Sequence, residues 1–280
     1  MSVELGSFRL DLINDGLFEL KPDDFVRVGA LRAEGLLSVK RRVRVAFNSL
    51  LIRGNGYTIV VDPGTGDKPH PQQVRDYRMG WPRKFFPALQ ELGIRPDEVD
   101  AVILTHLHWD HCGGATSLDA SGRPVPVFFN ARHYLQRREL AAARAAVRSG
   151  DDSFLGDDFE PLVSAGLLDL VDGNAEILPG ISVEWTGGHS PGHQIVKISG
   201  SESSRAIYLS DLVPTVAQIP LDSVMSYDSN VEELVPAKKR VLREALERKD
   251  LLLFVHAPRQ RAGYLREHAN GEWFLEAVQL

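Results

Sequence analysis

The stretch AVILTHLHWDHCGG, residues 101–114, places four potential metal ligands directly after an apolar segment and before a glycine pair. Imidazole and carboxylate groups suit Zn²⁺ and other divalent ions. His106 and His108 alternate as strand residues do, so both can face one point, whereas Asp110 and His111 follow after the chain turns. A purely structural role is a weak explanation, because each buried polar group left unpaired costs about 1–3 kcal/mol. The stretch therefore predicts a metal site, with Asp110 and His111 suited to a second ion.

Three further candidate ligands each follow a predicted strand later in the chain. They are His189 in WTGGHSPGH, Asp211 in AIYLSD and His256 in LLLFVHAP. Loops at the carboxyl ends of strands gather at one edge of a sheet, so these residues can converge. A lone histidine on an apolar strand, such as His256, is more often a core residue, and only the grouping favours a ligand. Seven ligands are too many for one tetrahedral ion and enough for two that share a carboxylate.

The order of apolar patterns around these ligands is typical of an α/β protein. Residues 8–62 are strand-like, and Asn55-Gly56 between two apolar runs predicts a hairpin turn. The segment FFPALQELGI predicts a helix that ends at Gly93. No linker or repeat divides the pattern, so we expect one domain over residues 1–280. The sequence further predicts helices over residues 131–148 and 231–248, an acidic loop over 150–158, and strands at DAVILTH, PVPVFFN, SVEWTGG, QIVKIS, AIYLSD and LLLFVHAP.

Composition excludes several other classes of protein. The chain has 280 residues, 43% hydrophobic, and no apolar run near the length of a membrane span. Its N-terminus lacks the apolar stretch of a secretory signal, and its one cysteine, Cys112, cannot form an intramolecular disulfide. We therefore expect a cytoplasmic protein without a membrane partner. The net charge of −6 argues against a nucleic-acid partner, and the basic run Lys40 to Arg44 is interpreted as a solvated strand face.

The segment THLHWDH resembles the HxHxDH signature of the metallo-β-lactamase superfamily, and GGHSPGH resembles the later GHTPGH segment of that family. NSLLIRGNGYTIVVDPGTGD, residues 48–67, resembles the opening hairpin of the family. The resemblance covers nearly the whole chain. It implies an α/β fold of the four-layer αβ/βα sandwich type, with metal ions at one edge of two sheets.

The resemblance also implies which residues bind each ion. His106, His108 and His189 would bind one ion, Asp110, His111 and His256 the other, and Asp211 would bridge them. A hydroxide held between the two ions would attack an electrophilic carbonyl or phosphoryl centre. Asp110 and Asp211 would thus serve catalysis as well as metal binding. The ions are expected to be Zn²⁺, with Mn²⁺, Fe²⁺ or Co²⁺ as alternatives.

Other residues near the ligands are given supporting roles. Asp62 resembles the buried family carboxylate that orients a ligand histidine. His193 is expected to brace its loop by hydrogen bonding, and Cys112 to be a small packed residue. His70, His133 and His268 are expected at the surface.

The quorum-quenching lactonases resemble this chain in length and ligand set. They commonly carry a tyrosine three residues after the bridging aspartate, where this chain has Pro214, and Tyr227 is a candidate to supply the missing phenol. We predict a small-molecule substrate with an apolar acyl or aryl group. The segment MGWPRKFF is predicted to contact that group or to form a homodimer contact, through Met79, Trp81, Phe85 and Phe86.

Several alternatives to a lactonase or esterase remain at this point. Organophosphate triester hydrolases have a similar ligand set and do not need the tyrosine. A glyoxalase-II-like thioesterase would need a basic cluster for glutathione, but Lys238, Lys239 and Arg240 lie on a helix interpreted as solvated. Persulfide dioxygenases use one iron and normally lack part of the second ligand set, and a non-catalytic metal-binding scaffold would be an unusual use of seven ligands.

Overall fold

Seven strands form one mixed sheet within the residues that this computed structural model describes, which are 2–21, 42–68, 71–80 and 82–279. In spatial order they are β1 (Ser2–Leu5), β2 (Phe8–Leu20), β3 (Val43–Gly54), β4 (Tyr57–Val61), β5 (Ala101–Ile103), β8 (Arg132–Gln136) and β9 (Leu168–Val171). The first four pair antiparallel, and β4, β5, β8 and β9 run parallel to one another.

The later part of the chain forms a second sheet of seven strands among the described residues. In spatial order they are β10 (Ala175–Leu178), β11 (Ile181–Trp185), β12 (Gln194–Ser201), β13 (Ser204–Tyr208), β14 (Leu251–Leu253), β15 (Ala262–Glu267) and β16 (Trp273–Val278). Only β13 and β14 pair in parallel in this sheet. A separate hairpin pairs β6 (Thr116–Leu118) with β7 (Pro124–Pro126).

The two sheets face each other across an apolar core. Alternate residues of β3, Leu50 and Ile52, point into this core from one side, and Val196 and Ile198 of β12 pack there from the other. Leu51, between the first two, points to the opposite face of its sheet. Because strand side chains alternate between faces, both faces of β3 are covered, and its residues 45–52 are buried throughout.

Helices cover the outer face of each sheet. The helices of the described residues are, in chain order, α1 (Pro71–Asp76), α2 (Phe85–Glu91), α3 (Trp109–Cys112), α4 (Arg137–Ser149), α5 (Gly156–Ser164) and α6 (Val231–Arg248). Phe85 of α2, Leu140 of α4 and Phe159 of α5 pack on the first sheet. Val241 and Leu242 of α6 pack on the second sheet. The layers are therefore helix, sheet, sheet and helix, as predicted.

Most predicted elements are confirmed, but several boundaries are wrong, and the strand predicted at PVPVFFN is limited to Pro124–Pro126 of the small hairpin. The Asn55-Gly56 turn joins β3 to β4 with positive φ at both residues, and the helix over 231–248 is present in full. The helix predicted over 131–148 begins only at Arg137, because the preceding residues form β8 between two other strands. The predicted acidic loop over 150–158 ends early, since α5 begins at Gly156.

Two predictions of surface exposure are also wrong. His133 is fully buried on β8, on the same face as the core residue Leu135. Lys238 is fully buried on α6, where its Nζ donates hydrogen bonds to the carbonyls of Pro220 and Ser223 at 2.7 and 2.8 Å. Backbone acceptors replace water there, which makes the burial of a cation tolerable.

The other surface predictions have mixed outcomes. His268, Lys239 and Arg240 are exposed, as predicted. His70, Lys40 and Arg41 lie outside the described residues. Among the described residues, the helices are too short or too polar to cross a membrane.

Replacing His133 with Leu should make the protein resist mild acid better. Burial lowers the pKa of His133 to about 4, so between pH 6.5 and 4 the unfolded chain binds a proton that the folded protein excludes. Stability is therefore full above pH 6.5 and falls as the pH falls towards 4. The parent should lose about 2 kcal/mol more than the variant between pH 7.5 and 5. Urea unfolding at both pH values measures this difference.

The matched control is His268→Leu, which removes an exposed histidine. Its acid sensitivity should equal that of the parent. Equal loss of stability in the parent and in His133→Leu would contradict the prediction.

Candidate metal centre

The predicted ligands follow the carboxyl ends of strands that meet at one edge of the two sheets. Residues 106–111 follow β5, and Asp62 follows its parallel neighbour β4. In the second sheet, Asp211 follows β13 and His256 follows the parallel β14, while His189 follows β11. Both sheets thus present side chains to the same place, as strand-end loops of α/β folds do.

One group of four side chains surrounds a single point. The Nδ1 atom of His108 lies 3.0 Å from Nε2 of His106 and 3.1 Å from Nε2 of His189. Oδ2 of Asp211 lies 3.1 Å from Nε2 of His189 and 3.7 Å from Nε2 of His106. The ligand atoms of these four residues all lie within 4.8 Å of one another. We call them the first group.

Asp110, His111 and His256 form a second group, whose ligand atoms also lie within 4.8 Å of one another. Asp211 contacts this group as well. Its Oδ2 lies 3.4 Å from Nε2 of His111, and its Oδ1 lies 3.2 Å from Nε2 of His256. A single carboxylate therefore lies between the two groups, which is the position that a bridging ligand needs.

The donor atoms are better arranged to bind divalent metal ions than to form hydrogen bonds with one another. Nε2 of His111 and Oδ1 of Asp211 are buried, and neither makes a hydrogen bond of acceptable geometry to the described residues. In the first group, three imidazole nitrogens point at each other at hydrogen-bond distance. Buried polar atoms are normally paired, and three imidazoles with a carboxylate are a common zinc-binding set.

Hydrogen bonds outside the groups orient the histidines. Nδ1 of His111 lies 2.9 Å from Oδ2 of Asp62, and Nδ1 of His256 lies 2.8 Å from the carbonyl oxygen of Ala46. Nδ1 of His189 lies 2.9 Å from Oδ1 of Asp228. An acceptor at each Nδ1 assigns the proton to that nitrogen, which leaves the Nε2 lone pair facing the centre.

Asp62 also joins the strand ends that carry the ligands. Its carboxylate accepts hydrogen bonds from the backbone N–H of Thr105 at 2.8 Å and from the Thr105 hydroxyl at 2.7 Å. The Ser210 hydroxyl lies 2.7 Å from the same hydroxyl. Asp62 and Ser210 both have positive φ, 48° and 46°, which costs a residue with a side chain about 1–3 kcal/mol. The surrounding network holds both residues in this conformation.

The charges of the centre are strongly coupled. Burial raises the pKa of the Asp211 carboxyl, but His256, His111 and His189 outweigh burial and hold it well below its usual range. Burial lowers the pKa of His189, yet Asp211 and Asp228 raise it to about 10. For His106, burial and the neighbouring histidines lower the pKa. The buried carboxylate thus demands positive charge here, which protonated imidazoles or divalent cations supply.

A cavity of about 60 Å³ opens onto both groups. Asp110, Asp211 and His256 are among the polar residues at its base, and Asp110 is the most exposed carboxylate there, with 14% of its side chain accessible. Tyr227 lines the cavity, as its predicted role requires. The apolar and aromatic wall is formed by Phe18, Leu20, Tyr77, Trp109, Met225 and Tyr227.

The predicted substrate residues that the structure describes, Met79, Phe85 and Phe86, do not line this cavity. Phe85 is buried beneath the first sheet and Phe86 packs beside it, because the apolar face of α2 covers the sheet, so neither is placed to contact a substrate in this cavity. Met79 packs against the aromatic cluster around Phe18 but does not line the described cavity. Trp81 lies outside the described residues.

His193 and Cys112 lie beside the ligands without joining either group. Nδ1 of His193 lies 2.7 Å from the Thr186 hydroxyl, and its Nε2 accepts a hydrogen bond from the backbone N–H of Asp211 at 3.1 Å. His193 therefore ties its own loop to the loop of Asp211. Cys112 is fully buried, and its thiol contacts the carbonyl of Leu107.

Sequence reasoning missed Asp228 and every wall residue except Tyr227. Asp228 directly follows Tyr227, and an acidic residue in that loop is the only signal that the sequence offers. Trp109 lies inside the ligand motif itself, so its proximity to the centre was open to prediction. Phe18 and Leu20 belong to a strand distant in sequence, and Phe18 reaches the site by stacking on Phe47 with ring centroids 4.1 Å apart.

Comparison with known proteins agrees with this geometry. The model of the metallo-beta-lactamase superfamily matches residues 44–253. The chain is 26% identical over 175 residues to an N-acyl homoserine lactonase of Bacillus cereus, and the alignment covers 62% of each chain. The chain thus spans less than two thirds of the length of this relative.

Solved structures match the fold over almost its full length. A protein described as a probable metal-dependent hydrolase from Staphylococcus aureus has a TM-score of 0.86 at 22% identity, covering 99% of this chain and 100% of that one. AidC, a dizinc quorum-quenching lactonase in complex with a product, has a TM-score of 0.79 at 21% identity, covering 100% and 98%. At these identities the likeness concerns the fold.

Replacing Asp228 with Ala should weaken the binding of divalent metal ions by about 10- to 100-fold, because His189 loses the partner that fixes its tautomer and ring orientation. Titration of metal-free protein with Zn²⁺ against a chelating indicator measures the change. Asp222→Ala, at an exposed position in the same loop, is the control and should bind as the parent does. Unchanged affinity in Asp228→Ala would show that Asp228 does not support the centre.

Proposed function

Since the chain belongs to the metallo-beta-lactamase superfamily, we propose that it is a hydrolase with two divalent metal ions that cleaves a lactone or ester of a small molecule. One observation carries the proposal: two adjoining ligand groups share Asp211 at the base of a cavity with an apolar wall. Such a site brings activated water next to an apolar substrate.

In this proposal the first group, His106, His108, His189 and Asp211, holds one ion, and Asp110, His111 and His256 hold the other together with Asp211. When bound, the ions would lower the pKa of water and polarise the carbonyl under attack. The protein's own contribution is to fix the ligand atoms through Asp62, Asp228 and the Ala46 carbonyl.

Two cavity residues are placed to act on the substrate itself. Asp110 is the most exposed carboxylate of the site, so we assign to it the uptake of the proton that the attacking water gives up and its transfer to the departing alkoxide oxygen. The half-buried Tyr227 lines the same cavity, and we assign to its hydroxyl a hydrogen bond to the substrate carbonyl oxygen. Pro214, three residues after Asp211, cannot supply that hydroxyl because proline has none.

The cavity wall favours a substrate with an apolar acyl or aryl group. Phe18, Leu20, Trp109 and Met225 offer an apolar surface beside the polar base. The relative from Bacillus cereus is an N-acyl homoserine lactonase, a name that describes cleavage of a lactone carrying an acyl group. A lactone of that type would place its carbonyl at the ligands and its acyl chain against the wall, and the names of the lactonase relatives favour it over a phosphotriester or a thioester.

The class of substrate is tested with three compounds: an N-acyl lactone, an aryl ester and an aryl phosphotriester. Protein purified without chelator should contain about two divalent ions per chain and should turn over the lactone fastest. Elemental analysis and turnover assays on one preparation measure both. Preference for the phosphotriester would favour an organophosphatase. A single iron per chain without hydrolysis would refute the proposal and favour an oxidoreductase.

Replacing Asp211 with Ala should remove nearly all turnover and lower the metal content, because both groups lose their shared carboxylate. The readouts are turnover of the preferred substrate and metal content per chain. Asp172→Ala, at an exposed position, is the control for loss of an aspartate. A variant that keeps two ions and near-normal turnover would contradict the bridging role.

A further inference from the structure

Glu139 is a fully buried carboxylate that contacts both loops of the first group without being a ligand. It lies in the first turn of α4. One oxygen, Oε1, accepts a hydrogen bond from the backbone N–H of Leu107 at 3.1 Å. The other, Oε2, accepts from the Ser190 hydroxyl and from the backbone N–H of Gly192, both at 2.8 Å. Three donors therefore converge on one side chain.

These donors belong to the segments that carry the histidines of the first group. Leu107 lies between His106 and His108, and Ser190 directly follows His189. The first segment follows a strand of the first sheet and the second follows a strand of the second sheet. Glu139 is thus hydrogen-bonded to both sides of the sandwich at once.

The second loop lies directly on the helix that carries Glu139. A Cβ atom at Gly192 would come within 2.5 Å of the backbone nitrogen of Glu139, so only glycine fits there. The carboxylate offers acceptors alone when ionised, which matches a site made of donors. An amide at this position would turn an N–H towards one of the three donors and leave that pair unsatisfied.

Lys68 has the corresponding contacts on the loop of the second group. Its buried Nζ donates hydrogen bonds to the Gly113 carbonyl at 2.5 Å and to the Thr116 carbonyl at 2.9 Å. It also pairs with Oδ1 of the buried Asp158 on α5, at 2.9 Å. Gly113 comes two residues after His111, so this cation fixes the chain directly behind Asp110 and His111.

We propose that Glu139 and Lys68 are positioning residues with separate tasks: Glu139 sets the affinity of the first group for its metal ion, and Lys68 that of the second. This inference rests on the proposed function, because it assumes that both groups bind ions. It follows from the contacts above, since Glu139 joins the loops of His106, His108 and His189, whereas Lys68 joins the loop after His111 to Asp158 on α5. A general loss of stability would instead weaken both groups together.

The test compares Glu139→Gln with the double variant Lys68→Met, Asp158→Asn. The double variant removes both partners of the ion pair, which avoids leaving an unpaired buried charge. Glu184→Gln is the control, because Glu184 is also a buried, ion-paired carboxylate, but its partners are Lys197 and Arg240. Crystals of each protein are equilibrated in zinc buffers, and anomalous diffraction gives the zinc occupancy of each group separately.

Glu139→Gln should weaken zinc binding at the first group by about 10- to 100-fold, and the double variant should do so at the second group. The other group of each variant, and both groups of Glu184→Gln, should match the parent. If Glu139→Gln does not fold, Ser190→Ala removes one donor from the same carboxylate and should weaken the first group in the same way.

Equal weakening of both groups, or no weakening, in Glu139→Gln would overturn the inference and leave the proposed function standing. The same outcomes in the double variant would overturn the part that concerns Lys68. A parent protein that binds no zinc at either group would refute the proposed function, and the inference with it.

Discussion

The Asp62 carboxylate holds together the edge of the fold where the ligands converge. It accepts two hydrogen bonds from Thr105, faces Nδ1 of His111 and reaches the Ser210 hydroxyl at 3.4 Å. These contacts connect the ends of β4, β5 and β13, and thereby both sheets. Because the group is buried and acceptor-only, each donor has one favourable orientation. The positions of the His111 ring and of the residue before Asp211 follow from this one side chain.

The convergence of the candidate ligands was predictable because its signal is local. Four of these candidates lie within residues 106–111, and the others each come just after an apolar run, where strand-end geometry gathers them. The cavity wall lacked such a signal. Phe85 and Phe18 are both aromatic residues in apolar patterns. The apolar face of α2 places Phe85 beneath the first sheet, whereas stacking on Phe47 places Phe18 at the site. Only the tertiary packing distinguishes them.

The burial of two polar residues was likewise not predictable from the sequence. His133 and Lys238 were expected in solvent from their chemistry alone. Lys238 is buried because two carbonyls of the loop after β13 accept its hydrogen bonds. The sequence of its own helix does not indicate that these acceptors lie nearby. The helix predicted over 131–148 failed for a related reason. Its first residues have helical composition, but Arg132–Gln136 pair with both β5 and β9 and therefore form strand β8. Tertiary contacts override local propensity in both cases.

Because each half of the chain forms one sheet, the candidate ligands come from both halves of the protein. All described strands of the first sheet precede Asp172, and all those of the second follow Asn174. Each half contributes side chains to each group, so an ion bound in either group would cross-link the halves. The strength of that cross-link depends on the concentration of free metal, whereas the apolar core between the sheets does not. The supply of metal ions would therefore affect how strongly the two sheets are held together at the edge where the ligands lie.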